Sequence, residues 1–194
     1  LKETINKQTI LITIAHVNNE IGTIQDIKSI ASMCQEHGIM LHIDAAQTIG
    51  KCTLDVQEVP ADFISFSAHK YYGPKGIGAL YIKHKRKIKP LLHGGGQQQE
   101  LRPGTIPLML ILAMAKTWEL STQNNSELQH IARLHQIIKE TLPTTVSIHG
   151  DTTMRVPHNL MISLPNSCSI ADIEKLKYTF NISSASACSI SKQS

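Results

Sequence analysis

The stretch SFSAHKYYGPKGIG, Ser65 to Gly78, decides the reading of this chain because it sets one lysine, Lys70, just beyond an apolar strand and inside a glycine-framed loop. Phe63, Ile64 and Phe66 read as a buried strand, and Ser67, Ala68 and His69 carry the chain out of it towards Gly73, Pro74 and Gly76. A lysine beside apolar residues loses solvation, so its neutral, nucleophilic form becomes easier to reach and Schiff-base chemistry is open to it. The plainer reading, an exposed loop lysine, is the commoner fate of a single lysine.

The preceding segment, LHIDAAQTIGK from Leu41 to Lys51, is an apolar strand that ends in Asp44 and is followed three residues later by Gln47. In an open α/β sheet, ligands bind at the carboxyl ends of strands. An acid there is what pyridoxal phosphate needs against its ring nitrogen, because a protonated pyridinium withdraws electrons. Asp44 reads equally well as a helix cap, with Ala45, Ala46 and Gln47 opening the helix. Pairing with Lys70 one strand later puts the cofactor reading ahead.

HVNNEIGTIQDI (His16 to Ile27), HIDAAQTIGK, SFSAHKYYGPKGIGALY, HGGGQQQELRPGT (His93 to Thr105), RVPHNL (Arg155 to Leu160) and SSASACS (Ser183 to Ser189) occur in this order along nearly the whole chain. In this order they resemble the class V, fold-type I pyridoxal phosphate enzymes of the cysteine desulfurase family. An ordered set is far more specific than any one motif. Selenocysteine lyases share the pattern.

The resemblance implies pyridoxal 5'-phosphate as cofactor, Lys70 as its Schiff-base lysine and Asp44 as partner of its ring nitrogen. It further implies that Gln47 bonds the phenolic oxygen, that Asn19 approaches cofactor and substrate carboxylate, and that Ser67 and His69 hold the phosphate. Thr105 would reach the phosphate of a neighbouring subunit, which implies a homodimer. Taken singly, Asn18 and Asn19 also read as turn residues, Ser67 as a loop cap and Gly104-Thr105 as a turn.

Cysteine usage sharpens the expected reaction. Cys34 lies on the apolar stripe Ile27, Ile30, Ala31 of a helix and reads as core, and Cys52 and Cys168 have no pairing or metal spacing. Cys188 sits among small polar residues, Ser183, Ser184, Ala185, Ser186, Ala187 and Ser189, so it reads as an exposed loop thiol. Alone, it would pass for an incidental surface cysteine. The resemblance makes it the nucleophile that takes sulfur from L-cysteine, leaving L-alanine and an enzyme persulfide to pass to an acceptor such as an iron-sulfur scaffold or a tRNA-thiolation relay. Cys188 is also the one candidate for a transient iron-sulfur ligand; ten histidines show no close pair at zinc spacing, so no resident metal is expected.

Composition agrees with an α/β protein: 194 residues and 41% hydrophobic content suffice for a substantial core. Four scattered cysteines favour a reducing compartment, with the cytoplasm as default and an organelle address left open. No apolar run is long enough to cross a membrane. The net charge of +4 leans on KHKRKIK, Lys83 to Lys89, which lacks interleaved aromatics and reads as a solvated loop rather than a nucleic-acid surface.

Strands are expected over Ile10 to Ala15, Ile39 to Asp44, Asp62 to Ser67 and Ala79 to Lys83, with a helix from Asp26 to His37. Two helices, broken near Asn124, should follow Pro107 and run to about Thr141. Further strands are expected at Val146 to His149 and Asn159 to Leu164, with a helix around Ala171 to Tyr178. The expectation is a fold-type I large domain over 1–124, with a mainly parallel sheet, and an incomplete small α+β domain over 125–194. The resemblance also implies a fragment: the family's phosphate-binding helix start and ring-stacking histidine would precede Leu1, and its substrate-carboxylate arginine would follow Ser194. The alternatives are a selenocysteine lyase, or a truncated chain that assembles with other subunits without catalysis.

Overall fold

The structure is a computed structural model, and it describes residues 1–83, 88–123, 125–165, 175 and 182. The helix expected near Ala171 to Tyr178, Cys168, Cys188 and most of the basic run lie outside the described residues. The chain divides into two compact units, one of Leu1–Val17 and Gln25–Asn125, the other of Asn18–Ile24 and Ser126–Ser194.

The first unit is built on a four-stranded sheet in sequence order: β1 (Leu11–Ala15), β2 (Met40–Asp44), β3 (Phe63–Ser67) and β4 (Gly78–Ile82). β1, β2 and β3 are parallel, and β4 runs antiparallel to β3. The register sets Ala15 beside Asp44 and Asp44 beside Ser65. Side chains alternate across a strand, so Ile12, Leu41, Ile43 and Ile64 share the buried face while Asp44, Ser65 and Ser67 share the other. Leu41 and Ile43 are fully buried, and each such side chain contributes about 1.5–3 kcal/mol.

Helix α1 (Ile27–Glu36) covers the buried face. Asp26 caps it, accepting from the Ser29 amide at 3.1 Å, and Gly38 leaves it at φ +66°. Its stripe Ile27, Ala31 and Cys34 is buried, with Met33 added. Helix α2 (Leu108–Gln123) packs against the one-turn 3-10 helix Ala68–Tyr71 that follows β3.

In the second unit α3 (Asn125–Thr141) precedes a short antiparallel pair, β5 (Ser147–Ile148) and β6 (Ile162–Ser163). Arg155 ties this unit together. Its guanidinium donates to the carbonyls of Ile21 at 3.0 Å, Asn159 at 2.9 Å, His149 at 3.3 Å and Asp151 at 3.4 Å. Through Ile21 it anchors the segment Asn18–Ile24, more than a hundred residues earlier in the chain. Among the described residues no helix is long and apolar enough to cross a membrane.

Candidate active site at the carboxyl edge of the sheet

The parallel strands β1, β2 and β3 end on one edge of the first unit, and the predicted site residues Asp44, Gln47, Ser67, His69 and Lys70 lie at or just past that edge. The Asp44 carbonyl accepts the His16 amide at 3.0 Å, and the Ser65 carbonyl accepts the Ala45 amide at 2.8 Å. These bonds carry the sheet ladder one step beyond Asp44 and fix where its side chain emerges.

Asp44 is exposed, and its Oδ1 accepts the Ala46 amide at 2.9 Å. It therefore opens an Asx turn rather than a helix: residues 46–51 are turns, and Gly50 takes φ +72°. No described side chain bonds the carboxylate, which leaves it free for a protonated ring nitrogen.

Lys70 is the third residue of the 3-10 helix Ala68–Tyr71 that follows β3, and it is exposed. The loop that holds it is closed at both ends. The Ala68 amide donates to Ile77 at 3.1 Å, and the Gly73 amide donates to Ala68 at 2.9 Å. Gly73 is required by crowding, since a Cβ there would fall 2.8 Å from the Ala68 Cβ and 2.9 Å from Thr117 Oγ1. Tyr71, next to Lys70, is buried against Trp118 edge to face at 6.2 Å, and Phe66 meets Trp118 at 5.2 Å. α2 thus backs the lysine loop from behind.

Ser67 occupies the cap position of the 3-10 helix without making a side-chain cap bond, and neither His69 nor Lys70 bonds a described side chain. Among the described residues the three donors are uncommitted. Their chemistry, two neutral or cationic donors and an amine on the turn after β3 with a carboxylate at the end of the neighbouring strand, is of the kind pyridoxal 5'-phosphate needs: donors for its phosphate, an amine for its aldehyde carbon and an acid for its pyridinium.

Gln47 is half-buried, and its Oε1 accepts from Lys51 Nζ at 2.7 Å. Lys51 was quoted with this motif but given no role by sequence; the four-residue spacing to Gln47 was the signal. Burial, then the charge of Lys70, lowers the Lys51 ammonium below the ordinary lysine range. Beneath the turn, Thr48 is fully buried with its Oγ1 3.1 Å from His16 Nδ1, a pair that sequence reading also missed. Thr105 is exposed in the first unit beside Gly104, whose φ is +112°. Asn19 belongs to the second unit: Asn18 Oδ1 accepts the amides of Glu20 and Ile21, so Asn18 is a turn residue, while Asn159 Nδ2 donates to the Asn19 carbonyl at 2.6 Å.

Cys34 is buried, and burial raises its thiol pKa. Cys52 is half-buried and pushed up to about 11 by burial, against a smaller opposing effect of Lys51. Neither has thiolate character at neutral pH. No group of three metal-ligating side chains occurs among the described residues.

The family model for aminotransferase class V matches residues 1–176. The chain belongs to the class V aminotransferase family. Cysteine desulfurase IscS of Buchnera aphidicola subsp. Acyrthosiphon pisum is 41% identical over 193 residues, covering 97% of this chain and 48% of that enzyme. Among solved structures, a NifS-like protein superposes with a TM-score of 0.79 at 34% identity, covering 85% of this chain and 46% of its own. SspA in complex with cysteine gives 0.77 at 36% identity, covering 96% and 52%. The fold is therefore the α/β fold of type I pyridoxal phosphate enzymes, and the chain spans about half the length of the curated relatives it matches.

Proposed function

We propose that this chain forms part of a cysteine desulfurase that uses pyridoxal 5'-phosphate to remove sulfur from L-cysteine, yielding L-alanine and a persulfide on Cys188. The observation that carries the reading is the placement of Lys70 on a clamped turn after β3 with the free carboxylate of Asp44 at the end of the neighbouring strand. The relatives named cysteine desulfurase, and SspA with cysteine, support the choice of substrate.

When bound, the cofactor supplies an electron sink for the pair left on the substrate carbon. Asp44 holds a proton on the ring nitrogen, and Ser67 and His69 hold the phosphate. Gln47 donates to the phenolic oxygen, and Asn19 binds the substrate carboxylate. Lys70 would move protons at the substrate's alpha and beta carbons. The Cys188 thiolate attacks the substrate sulfur, so a sulfur–sulfur bond forms, the carbon–sulfur bond breaks, and the carbon takes a proton. The persulfide then passes to an acceptor thiol, such as that of an iron-sulfur scaffold or a tRNA-thiolation relay.

A homodimer, with Thr105 reaching the neighbouring subunit's phosphate, is part of this reading. Free Cys34 and Cys52 suit a reducing compartment such as the cytoplasm.

Visible absorbance of the purified chain after addition of pyridoxal 5'-phosphate tests the reading, together with alanine release from L-cysteine by the longer protein that carries these residues. A band lost in Lys70→Ala, and alanine formation lost in Cys188→Ser, are expected. A band that survives Lys70→Ala refutes the lysine assignment, and desulfuration undiminished in Cys188→Ser refutes the nucleophile.

A further inference from the structure

We propose that Lys51 is a positioning residue of the cofactor site: by donating to Gln47 Oε1 it fixes the side-chain amide so that Nε2 is offered as a donor to the cofactor's phenolic oxygen. The proposal rests on the reading of Gln47 given above and deepens it.

An ammonium has donors and no acceptor. The 2.7 Å contact therefore requires the amide oxygen, not the nitrogen, to face Lys51. A glutamine without such a partner can present either end of its amide, and half of those orientations would turn an acceptor towards an anionic oxygen. Lys51 removes that choice.

The turn carrying both residues is itself held. The amides of Lys51 and Cys52 both donate to the Thr48 carbonyl at 3.0 Å, and Thr48 is fully buried against His16. Gly50, between the two side chains, has φ +72°, and a Cβ there would lie 2.9 Å from the Ser121 Cβ of α2. Neither end of the Lys51–Gln47 pair is on a loose segment, so the hydrogen bond sets the orientation of the amide.

The test uses chain loaded with pyridoxal 5'-phosphate and follows the pH midpoint of the visible absorbance and the cofactor dissociation constant. With its donor disordered, the phenolic oxygen retains more negative charge and holds the neighbouring proton to higher pH. Lys51→Met should raise the midpoint by about 0.5–1 pH unit and weaken cofactor binding by about threefold to tenfold. Lys51→Arg, which keeps a donor, should restore most of both. Gln47→Leu should shift the midpoint as Lys51→Met does, and the double variant should shift it no further than Gln47→Leu alone.

An unchanged midpoint in Lys51→Met, or additive shifts in the double variant, overturns the role of Lys51 while leaving the cofactor reading intact. A wild-type chain with no lysine-dependent band overturns both. If Lys51→Met fails to fold, the comparison of wild type, Lys51→Arg and Gln47→Leu decides: a midpoint displaced as far in Lys51→Arg as in Gln47→Leu overturns the proposal.

Discussion

Iodoacetamide at pH 8 should modify Cys52 far more slowly than an ordinary thiol, and the size of the effect follows from its surroundings. Burial pushes the Cys52 thiol up to about 11. At pH 8 an unperturbed thiol with a pKa of about 8.5 is roughly one quarter ionised, whereas one at about 11 is ionised in about one molecule in a thousand. The thiolate population is therefore down by about 250-fold. A more basic thiolate is intrinsically the better nucleophile, and a Brønsted slope near 0.4–0.5 returns about tenfold of that loss. The net expectation is a rate about twentyfold below that of a small model thiol in the same tube, before any steric protection of a half-buried side chain is counted. Digestion and mass spectrometry over a time course read the modification at each cysteine, with chain unfolded in guanidinium chloride as the fully reactive control. Cys34, more completely buried, should lag further, and the rapidly labelled peptide should be the one containing Cys188. Lys51→Met should slow Cys52 again, since the Lys51 charge partly offsets the effect of burial. Modification of folded Cys52 within threefold of the model thiol would refute the electrostatic reasoning, and a Cys188 no faster than Cys52 would remove the case for a loop nucleophile.

His16 is buried and its pKa is lowered by that burial, so the unfolded chain takes up the proton first as pH falls. Its contribution to stability is complete above about pH 6.5 and is lost progressively below it, down to the folded-state pKa. Urea midpoints at pH 7.5 and pH 5 should show a smaller difference in His16→Asn than in wild type, and an identical difference counts against the assignment. Tyr71 buries a hydroxyl with no hydrogen-bond partner among the described residues, so Tyr71→Phe should raise stability by about 1 kcal/mol; a loss of that size would mean the hydroxyl is satisfied in solution. A Cβ at Gly78 would stand 2.6 Å from the Phe66 carbonyl oxygen, so Gly78→Ala should cost about 2–3 kcal/mol and displace the turn bearing Lys70. Gly76, at φ +87° in open space, should cost only about 1 kcal/mol on the same change, and a reversal of that order in thermal melts would sink the packing argument.

Much of this was legible in the chain because local pattern decided it. Leu41 and Ile43 alternate with His42 and Asp44, and the strand falls where that period-two signal places it, with only its first residue displaced. The direction of β4 was readable from length. Only residues 68–77 separate it from β3, too few for the crossover a parallel strand needs. The turn after Asp44 was ambiguous, since Ala45, Ala46 and Gln47 favour a helix by propensity. The Asp44 carboxylate settles it by taking the Ala46 amide, and Gly50 at φ +72° closes the turn against Ser121, a contact no local rule contains. The grouping of Asn18–Ile24 with residues beyond 125 was equally out of reach, because it rests on bonds between residues more than a hundred positions apart, among them Arg155 to the Ile21 carbonyl, Ile24 to Met154 and Val156 to Gly22. Cys188 and Asn19 remain assignments by resemblance, and the residues that orient the site, Lys51 and Thr48 among them, show themselves only through their partners.

A neutral amide between Lys51 and the cofactor also has a chemical logic that direct contact would lack. An ammonium touching the phenolic oxygen would offer it an exchangeable proton, and a second amine there would compete with Lys70 for protons. Gln47 can transmit the polarity of Lys51 but cannot ionise at any working pH. Lys51 in turn is held half-buried, four residues from Gln47 on the same turn, where it feels the charge of Lys70. Two lysines so close could share one task badly; interposing Gln47 gives orientation to one and proton transfer to the other.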